Sequence, residues 1–411
     1  MKKKILVVGP VLSMSGYGEQ SRFALRALKS REDLFEIFIH PLPWGKTGWI
    51  WDDNEFRSWI DKRITITSVM SEQKKLQLDM TLQIGIPNEW KKIAPINIGY
   101  TAGIETTKVA PAWLQKGNEM DKILVVSNHA KTVFEQTVAT ATNNKTGEQF
   151  PYKLQTPIDV VWELTERKTP EEIKGIDLEN DFNFLLLSQW SPRKNFENTI
   201  RWWIEEFIDQ NVGLIVKTNT LCNSIIDRTH TEKLIEDLMK PYSDRRCSVY
   251  LLHGDLSEGQ MRWLYEHDKI KALINISHGE GFGLPMFEAA REALPIVTIG
   301  WSGHLDFLHH DGIDYFQPVD YTLQPVQKQA VWPGVIEEDS MWAFADQGSY
   351  KMTLRRTYKK WTTAKKTAME LQDLNEEKFN KIRIFDRFTK SILGDSCYIN
   401  EIMDDEVVFY E

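Results

Sequence analysis

The sequence predicts an α/β protein with two domains, each built around a parallel sheet that helices cover on both faces. The chain has 411 residues, which exceeds what one ordinary hydrophobic core organises. Short apolar runs also alternate with helical patterns twice, first before residue 163 and again after residue 181. Such alternation is typical of a parallel sheet with both faces covered.

The first half opens with a strand, a glycine loop and a helix. Residues 4–9 form the apolar run KILVVG, the loop PVLSMSGYGEQS follows, and RFALRALKS has a helical pattern. Further apolar runs predict the later strands of this half: LFEIFIH, MTLQIGIP, INIGYT, KILVVS and IDVVWE. We therefore predict a first domain over residues 1–163.

A polar segment with Pro170 and Gly175 predicts a linker over residues 164–180. The second domain is predicted over residues 181–372, with the strands FNFLLLS, GLIVKTN, SVYLLHG, KALINIS and PIVTIG. Its predicted helices are FENTIRWWIEEFID, RTHTEKLIEDLMK, SEGQMRWLYEH and LPMFEAAREA. Residues 320–350 are less regular, and we expect them to wrap the surface.

The composition favours a cytoplasmic globular protein. Hydrophobic residues make up 42% and charged residues 27% of the chain, and the net charge of −9 argues against non-specific binding to polyanions or acidic membranes. Cys222, Cys247 and Cys397 show no metal spacing and no disulfide framework, so we expect a reducing compartment and no metal. The opening MKKKILVVGPVL predicts a buried strand rather than a signal peptide, and no stretch is long enough to span a bilayer.

The stretch HGEGFGLPMFEAAREALP, residues 278–295, directly follows a predicted strand. Ligands of open parallel sheets bind at the carboxyl ends of strands, glycines let the backbone approach a ligand, and the helix that Pro285 opens offers N–H groups to a phosphate. Glu280 and Glu288 would lie at opposite ends of one ligand-sized gap, where a carboxylate accepts hydrogen bonds from two sugar hydroxyls. A glycine turn with a favourable acid at the helix start explains the same residues, and the spacing leaves both interpretations open.

The stretch EGFGLPMFE resembles the E-x7-E signature of retaining GT-B glycosyltransferases, in particular glycosyltransferase family 4. The similarity extends over roughly residues 181–320 and, in part, over the first strand, loop and helix. It implies two Rossmann-like domains that face each other across a cleft, an N-terminal one for the acceptor and a C-terminal one for a nucleotide-sugar donor. Residues 373–411 would form a helix that crosses back, and a tail. That helix carries four apolar residues at helical spacing, namely Phe379, Ile382, Phe385 and Ile392.

The resemblance implies a role for each residue of the signature. Glu288 would hold the ribose hydroxyls of the donor, and Glu280 would contact the hydroxyls of the donor sugar. Backbone N–H groups directed at the diphosphate and the sugar would come from Phe282, Gly283 and Leu284. The spacing of the two glutamates would then match the two sugars of one donor molecule.

The segment SQWSPRKNFEN, residues 188–198, is similar to the basic diphosphate clamp of the same family. Lys194 is the better match and Arg193 lies beside it, and two cations would stabilise the diphosphate as it leaves. A solvated turn before a helix is the alternative. Many relatives carry an arginine where this chain has Ser188 and Gln189, so either Arg193 compensates or the diphosphate is held differently.

Four residues outside these two motifs complete the predicted site. Gly16 in the SGYG loop would face the diphosphate across the cleft, and Lys217 at a strand end would reach the same cleft. His253 would lie by the nucleotide base, with a structural role as the alternative. Glu105 falls where many relatives place a histidine on the acceptor side. This departure leaves the general base open, although none is needed if the departing phosphate takes the acceptor proton.

The predicted activity is retaining transfer of a sugar from a UDP- or GDP-sugar to a hydroxyl acceptor, a glycan or a small hydroxyl compound, with no further cofactor. One alternative is an enzyme that uses sugar phosphates, as glycogen phosphorylase does, but a pyridoxal lysine context is absent from the sequence. Another is a non-catalytic nucleotide-sugar-binding scaffold, which would require loss of the clamp or of a glutamate. Both the clamp and the glutamates are present.

A further alternative concerns the acceptor. The opening ILVVGPVLSMSGYGEQSRFALRAL is similar to glycosyltransferases of tailed phages, some of which modify hydroxymethylated bases in duplex DNA. The tryptophan-rich loop PWGKTGWIW, residues 43–51, would stack on an extruded base, while Lys46 and a basic helix at 354–366 would meet phosphates. The net charge of −9 argues against DNA, and a carbohydrate acceptor requires no basic groove.

Overall fold

A computed structural model describes residues 2–394 of the protein. Residues 395–411, which include Cys397 and the predicted tail, lie outside the described residues. The chain forms two six-stranded parallel sheets with helices packed against them, one sheet in each half. The predicted fold of two Rossmann-like domains is therefore confirmed.

The first half holds one parallel sheet and a small hairpin. Its strands are β1 Lys3–Gly9, β2 Phe35–Pro41, β3 Met80–Ile84, β4 Ile96–Thr101, β5 Lys122–Val125, β6 Ala139–Thr142, β7 Gln149–Tyr152 and β8 Ile158–Val160. Its helices are α1 Gly16–Lys29, α2 Glu55–Glu72, α3 Pro111–Asn118 and α4 Asn128–Gln136. The sheet order is β2-β1-β3-β4-β5-β8, and β6 pairs with β7 alone. Every residue of β3 is buried, as expected for a central strand with both faces covered.

The second half repeats this plan. Its strands are β9 Asn183–Leu187, β10 Gly213–Lys217, β11 Ser248–Leu252, β12 Ile270–Asn275, β13 Ile296–Ile299, β14 His309–His310, β15 Ile313–Asp314, β16 Gln317–Val319, β17 Tyr321–Pro325 and β18 Met341–Ala345. Its helices, with the two that end the described chain, are α5 Phe196–Phe207, α6 Ile225–Met239, α7 Glu258–Glu266, α8 Leu284–Arg291, α9 Leu305–Leu308, α10 Gln347–Lys359, α11 Trp361–Lys378 and α12 Lys381–Leu393. The sheet order is β11-β10-β9-β12-β13-β16, with all neighbours parallel.

The last helix returns to the first half, as predicted. Phe388 of α12 is fully buried, and its ring lies 5.6 Å from that of Phe23 in α1 and 6.1 Å from that of Tyr100 in β4. The helical spacing was wrong for one residue, because Ile382 is 79% exposed. The predicted residues Phe385 and Ile392 are buried, Phe385 against the same helix α1, and the apolar face also includes Phe388, which the prediction did not name.

A second connection between the halves comes from residues 326–340, which join β17 to β18 and are called the arm here. Val335 in the arm is buried in the core cluster of the first half beside Trp90. Asn88 donates a hydrogen bond of 2.9 Å from its side chain to the carbonyl of Gly334, and Lys108 pairs with Asp339. The expectation of a less regular surface segment at 320–350 holds only for the arm, which fastens one half to the other, because β17 and β18 pair in a hairpin and Trp342 of β18 is fully buried.

The structure also bears on the predicted basic helix and on the expectation that no segment spans a membrane. The basic segment at 354–366 is not one helix, because α10 ends at Lys359 and α11 begins at Trp361. Among the described residues, no helix is long and apolar enough to cross a membrane.

Candidate active site

The site forms where the order of the second sheet reverses. β9 and β12 are sequence-distant neighbours at the centre of this sheet, and such a reversal opens a crevice outside their carboxyl ends. The loop after β9 leads into the short 3-10 turn Pro192–Lys194, and the loop after β12 leads into the glycine stretch before α8. The topology therefore brings together two motifs that lie more than eighty residues apart in the sequence.

The two motifs meet at the carboxylate of Glu280, which is 6% exposed. The ammonium of Lys194 donates to both carboxylate oxygens at 2.5 and 2.7 Å, and the guanidinium of Arg193 lies 3.3 Å from one of them. Asn275 Nδ2 and Ser277 Oγ donate to the same carboxylate at 3.1 and 3.0 Å. All of these partners belong to the second half, so Glu280 is oriented from four sides within one domain.

These contacts fix the protonation state of Glu280. Burial alone would raise its pKa, but the charges of Lys194 and Arg193 outweigh burial and hold the pKa well below its usual range. Burial and the neighbouring Arg193 lower the pKa of Lys194, while Glu280 opposes this shift. The arrangement provides an ionised carboxylate and two cations beyond the carboxyl ends of β9 and β12.

The first half reaches this site through the loop after β4. Glu105 Oε1 lies 3.0 Å from Arg193 Nη1, which also donates to the carbonyl of Gly279 at 2.8 Å. Trp301 Nε1 donates to the carbonyl of Glu105 at 3.3 Å. The predicted acceptor-side residue Glu105 and the predicted clamp residue Arg193 therefore form an ion pair across the cleft.

Two positions of the 278–283 loop require glycine for a different structural reason from the one we expected. A side chain at Gly279 would place its Cβ 2.8 Å from the Glu105 carbonyl oxygen, and one at Gly281 would come within 2.6 Å of the Ala102 carbonyl oxygen. These two glycines therefore let the loop pack against the backbone of the first half. We expected them to give space to a ligand, and in this structure a neighbouring loop takes that space.

Gly283 ends this loop and is the N-cap residue of α8. Its φ of +90° lies in the left-handed region, where glycine is strongly favoured, and Leu284 and Pro285 form the first turn of the helix. The side chain of Phe282 is buried among aromatic rings and lies 5.1 Å from the ring of Phe307. The buried side chain of Phe282 is therefore not available to a ligand, and the backbone role of Phe282, Gly283 and Leu284 remains a prediction.

Glu288 lies one turn into α8 in a different environment. Tyr265 donates its hydroxyl to Glu288 Oε2 at 2.9 Å. Burial raises the pKa of Glu288 to about 7, and the hydrogen bond from Tyr265 opposes this only in part, while the charges of Glu19 and Glu258 add to it. The side chain lines a cavity of about 130 Å³ between α7, α8, α1 and the segment after β8.

The remaining predicted residues have the following places. Gly16 is the first residue of α1, and the space around it is open. Lys217 donates its ammonium to the carbonyl of Gly254 at 2.7 Å. The side chain of His253 is 4% exposed and lies 2.9 Å from the carboxylate of Asp227, which also caps the turn after β10, so this ring has a partner inside the protein. A role for His253 beside a base remains a prediction.

Sequence reasoning missed the residues that hold the two glutamates. Asn275 is a buried polar residue at the end of strand β12, and Ser277 follows two residues later. Because buried polar groups have hydrogen-bond partners, Asn275 could have been predicted from the sequence to contact another polar group. Tyr265 gave no comparable signal, because its position opposite Glu288 depends on how α7 packs beside α8.

The comparisons with known proteins find similarity in structure. The chain matches no protein-family model, and no curated protein matches it in sequence. Solved structures do resemble it, among them Anabaena HepE in complex with UDP and glucose, with a TM-score of 0.58 and 13% identity over 95% of this chain and 99% of that one. Sucrose-phosphate synthase from Thermosynechococcus elongatus has a TM-score of 0.62 and 11% identity over 98% and 100% of the two chains.

A glycosyltransferase from Rickettsia africae is similar over 96% of this chain and 100% of that one, with a TM-score of 0.55 and 11% identity. These comparisons span both sheets and the returning helix. The fold is GT-B. At these identities the comparisons establish the architecture, and the chemistry has to be argued from the site.

Proposed function

We propose that this GT-B protein is a retaining glycosyltransferase of the family 4 type that uses a nucleoside diphosphate sugar as donor. One observation carries the proposal. The E-x7-E signature and the basic segment after β9, which were predicted to share a donor, meet at Glu280 in the crevice of the second sheet. Structural neighbours support it, since HepE was solved with UDP and glucose.

The chemistry follows from the charges at the site. Lys194 and Arg193 would face the diphosphate, whose negative charge grows as its bond to the anomeric carbon breaks. Glu280 would accept hydrogen bonds from hydroxyls of the transferred sugar, and Glu288 from those of the ribose. The acceptor oxygen would bond to the anomeric carbon on the face that the diphosphate leaves, and the acceptor proton would pass to the departing phosphate.

Glu105 does not supply an obvious general base in this scheme. Its carboxylate is paired with Arg193, so it orients the clamp from the acceptor side. This supports a reaction in which the leaving phosphate takes the proton. The result would be retention of the anomeric configuration.

We propose a carbohydrate or another small hydroxyl compound as the acceptor. Trp49 and Trp51 are 62% and 66% exposed in the loop that pairs with residues 12–14 beside the start of α1, and flat aromatic faces suit the apolar face of a sugar ring. DNA is less well supported. Lys351 and Arg355 of α10 are paired with glutamates of α5, so part of that positive charge is already neutralised.

The test begins with the donor. Purified protein is incubated with a panel of UDP- and GDP-sugars, and release of the nucleoside diphosphate is measured with and without acceptors. Proton NMR of the product then reports its anomeric configuration. Inversion would contradict the retaining assignment, and absence of binding and turnover with every donor would contradict the proposed function.

The acceptor panel contains oligosaccharides, small polyols and duplex DNA with 5-hydroxymethylated pyrimidines. We expect a mass gain of one sugar on a carbohydrate-type acceptor. A mass gain on a nucleoside from the modified DNA, with none on the carbohydrates, would replace the proposed acceptor with DNA.

A further inference from the structure

The cavity beside Glu288 contains one carboxylate, that of Glu258, whose single ion pair is long. One face of α7 lines this cavity with residues at helical spacing, namely Glu258, Met261, Arg262 and Tyr265. Leu256 lies just before the helix and lines the same cavity. The wall therefore combines two apolar side chains with a glutamate at its rim.

The other carboxylates of this cavity have close partners. Glu19 pairs with Arg22 and Arg26, Glu166 with Lys168, Glu292 with Arg167, and Glu288 accepts from Tyr265. Glu258 differs, since its nearest recorded cation is Lys168 at 3.9 Å, too far for a hydrogen bond. Among the carboxylates that line this cavity in the described residues, Glu258 therefore has the most distant partner, and its side chain is 48% exposed, so its oxygens are accessible to a ligand.

An acid at the first position of a helix also has a plain explanation. Ser257 caps α7 in a capping box with Gln260, and Glu258 follows at the first helical position, where a negative charge is favourable. That explanation accounts for the residue type. It does not account for its place on the same helix face as Met261 and Tyr265, opposite Glu288 in one cavity.

We propose that this cavity receives the nucleotide base and that Glu258 makes it select guanine, so that the donor is a GDP-sugar. Guanine presents two adjacent donors, N1–H and the N2 amino group, which one carboxylate can bind in parallel. Uracil presents a single N–H between two carbonyl oxygens, and both oxygens repel a carboxylate. Leu256 and Met261 would contact the faces of the ring. The inference rests on the proposed function, because it assigns the base of the same donor.

The test measures binding of GDP and UDP to the full chain by isothermal titration calorimetry. For the native protein we expect GDP to bind at least about 10-fold more tightly than UDP, because a site built to pair with two donors rejects a base that lacks one of them. Glu258→Gln should weaken GDP about 10- to 100-fold, the usual effect of losing charge-assisted hydrogen bonds, and should change UDP little.

Glu55→Gln is the matched control, because Glu55 also occupies the first position of a helix behind a capping side chain. Both variants should lose similar, small amounts of thermal stability, and only Glu258→Gln should change nucleotide preference. Tighter binding of UDP than GDP by the native protein, or unchanged GDP affinity in Glu258→Gln, would overturn the guanine assignment and leave the glycosyltransferase proposal standing. Binding of neither nucleotide would overturn both.

Discussion

Glu280 and Glu288 belong to one nine-residue signature, yet the structure gives them opposite electrostatic surroundings. Glu280 is buried with Lys194 and Arg193 against it, and its pKa lies well below the usual range. Glu288 is held by the hydroxyl of Tyr265, and its pKa is raised to about 7. Burial acts in the same direction on both, so the difference comes from the charged neighbours: Lys194 and Arg193 lower the pKa of Glu280, whereas Glu19 and Glu258 add to the rise at Glu288.

Under the proposed function, the comparison separates two tasks that one donor would impose. A diphosphate leaving group would require fixed positive charge, and the cost of burying that charge is offset by an ionised Glu280. Ribose hydroxyls would require only a hydrogen-bond acceptor, which Glu288 would supply without an ion pair. A carboxyl with a pKa near 7 is also half-protonated at neutral pH, which makes ligand binding there sensitive to pH.

The largest expected effect follows from removing Lys194, one of the two cations that contact Glu280. Lys194→Ala should lower turnover by about 10²- to 10³-fold, the usual cost of removing one group that stabilises developing charge. It should also lower the free energy of unfolding by about 3–5 kcal/mol, because Glu280 stays buried with one cation fewer. Steady-state kinetics and urea denaturation measure the two effects.

Lys351→Ala is the control for this variant, because Lys351 also pairs with a glutamate but at a more exposed site, where about 0–1 kcal/mol is expected. The double variant Lys194→Met, Glu280→Gln should regain stability without regaining turnover. Wild-type turnover in folded Lys194→Ala would remove this residue from the clamp.

The next effect concerns how the free energy of unfolding depends on pH through Glu288. The folded pKa of Glu288, about 7, lies above the ordinary glutamate value of about 4.3, so its contribution to stability is complete at low pH and is lost as pH rises to about 7. Relative to Glu288→Gln, the native protein should therefore lose up to about 3 kcal/mol between pH 4.5 and pH 7.5. Urea denaturation across this range measures the difference, and parallel curves would show that the pKa of Glu288 is not raised.

A smaller effect is expected on the donor. Glu288→Ala should weaken nucleoside diphosphate binding by about 1.5–3 kcal/mol, the value of a hydrogen bond to a charged group. The loss should be larger at pH 8 than at pH 6, because only the ionised carboxylate accepts from two hydroxyls. Calorimetry at both pH values is the measurement, with Glu236→Ala on α6 as the control, and unchanged affinity would refute the ribose assignment.

The smallest effect tests whether Glu280 depends on the first half. Glu105→Gln removes the partner of Arg193 across the cleft, and this partly exposed pair should contribute about 1 kcal/mol or less to the free energy of unfolding. Denaturation by urea compares it with Lys194→Ala. If Glu105→Gln lost as much free energy of unfolding as Lys194→Ala, the charge at Glu280 would depend on both domains. That outcome would contradict the assignment of its stabilising partners to the second half alone.

Much of the architecture could be predicted from the sequence because the alternation of apolar runs and helical patterns is local. The two parallel sheets, the returning helix and the nearness of Lys194 to Glu280 were all expected, the last through resemblance. Spacing failed at Ile382, since a helical pattern shows that one face is apolar but not which residues the partner helix covers. The basic helix at 354–366 failed because a break at Lys360 carries no strong stop signal.

By itself the sequence determined which chemical groups the site contains, namely two glutamates eight positions apart and two adjacent cations. Only the tertiary structure decided how each is charged, because a pKa depends on burial and on neighbours that are distant in sequence. It also decided that Gly279 and Gly281 receive the backbone of the first half, that the arm joins the halves, and that Glu258 lies in the cavity of Glu288. These are contacts between segments whose meeting depends on the packing of whole domains, and no local pattern encodes them.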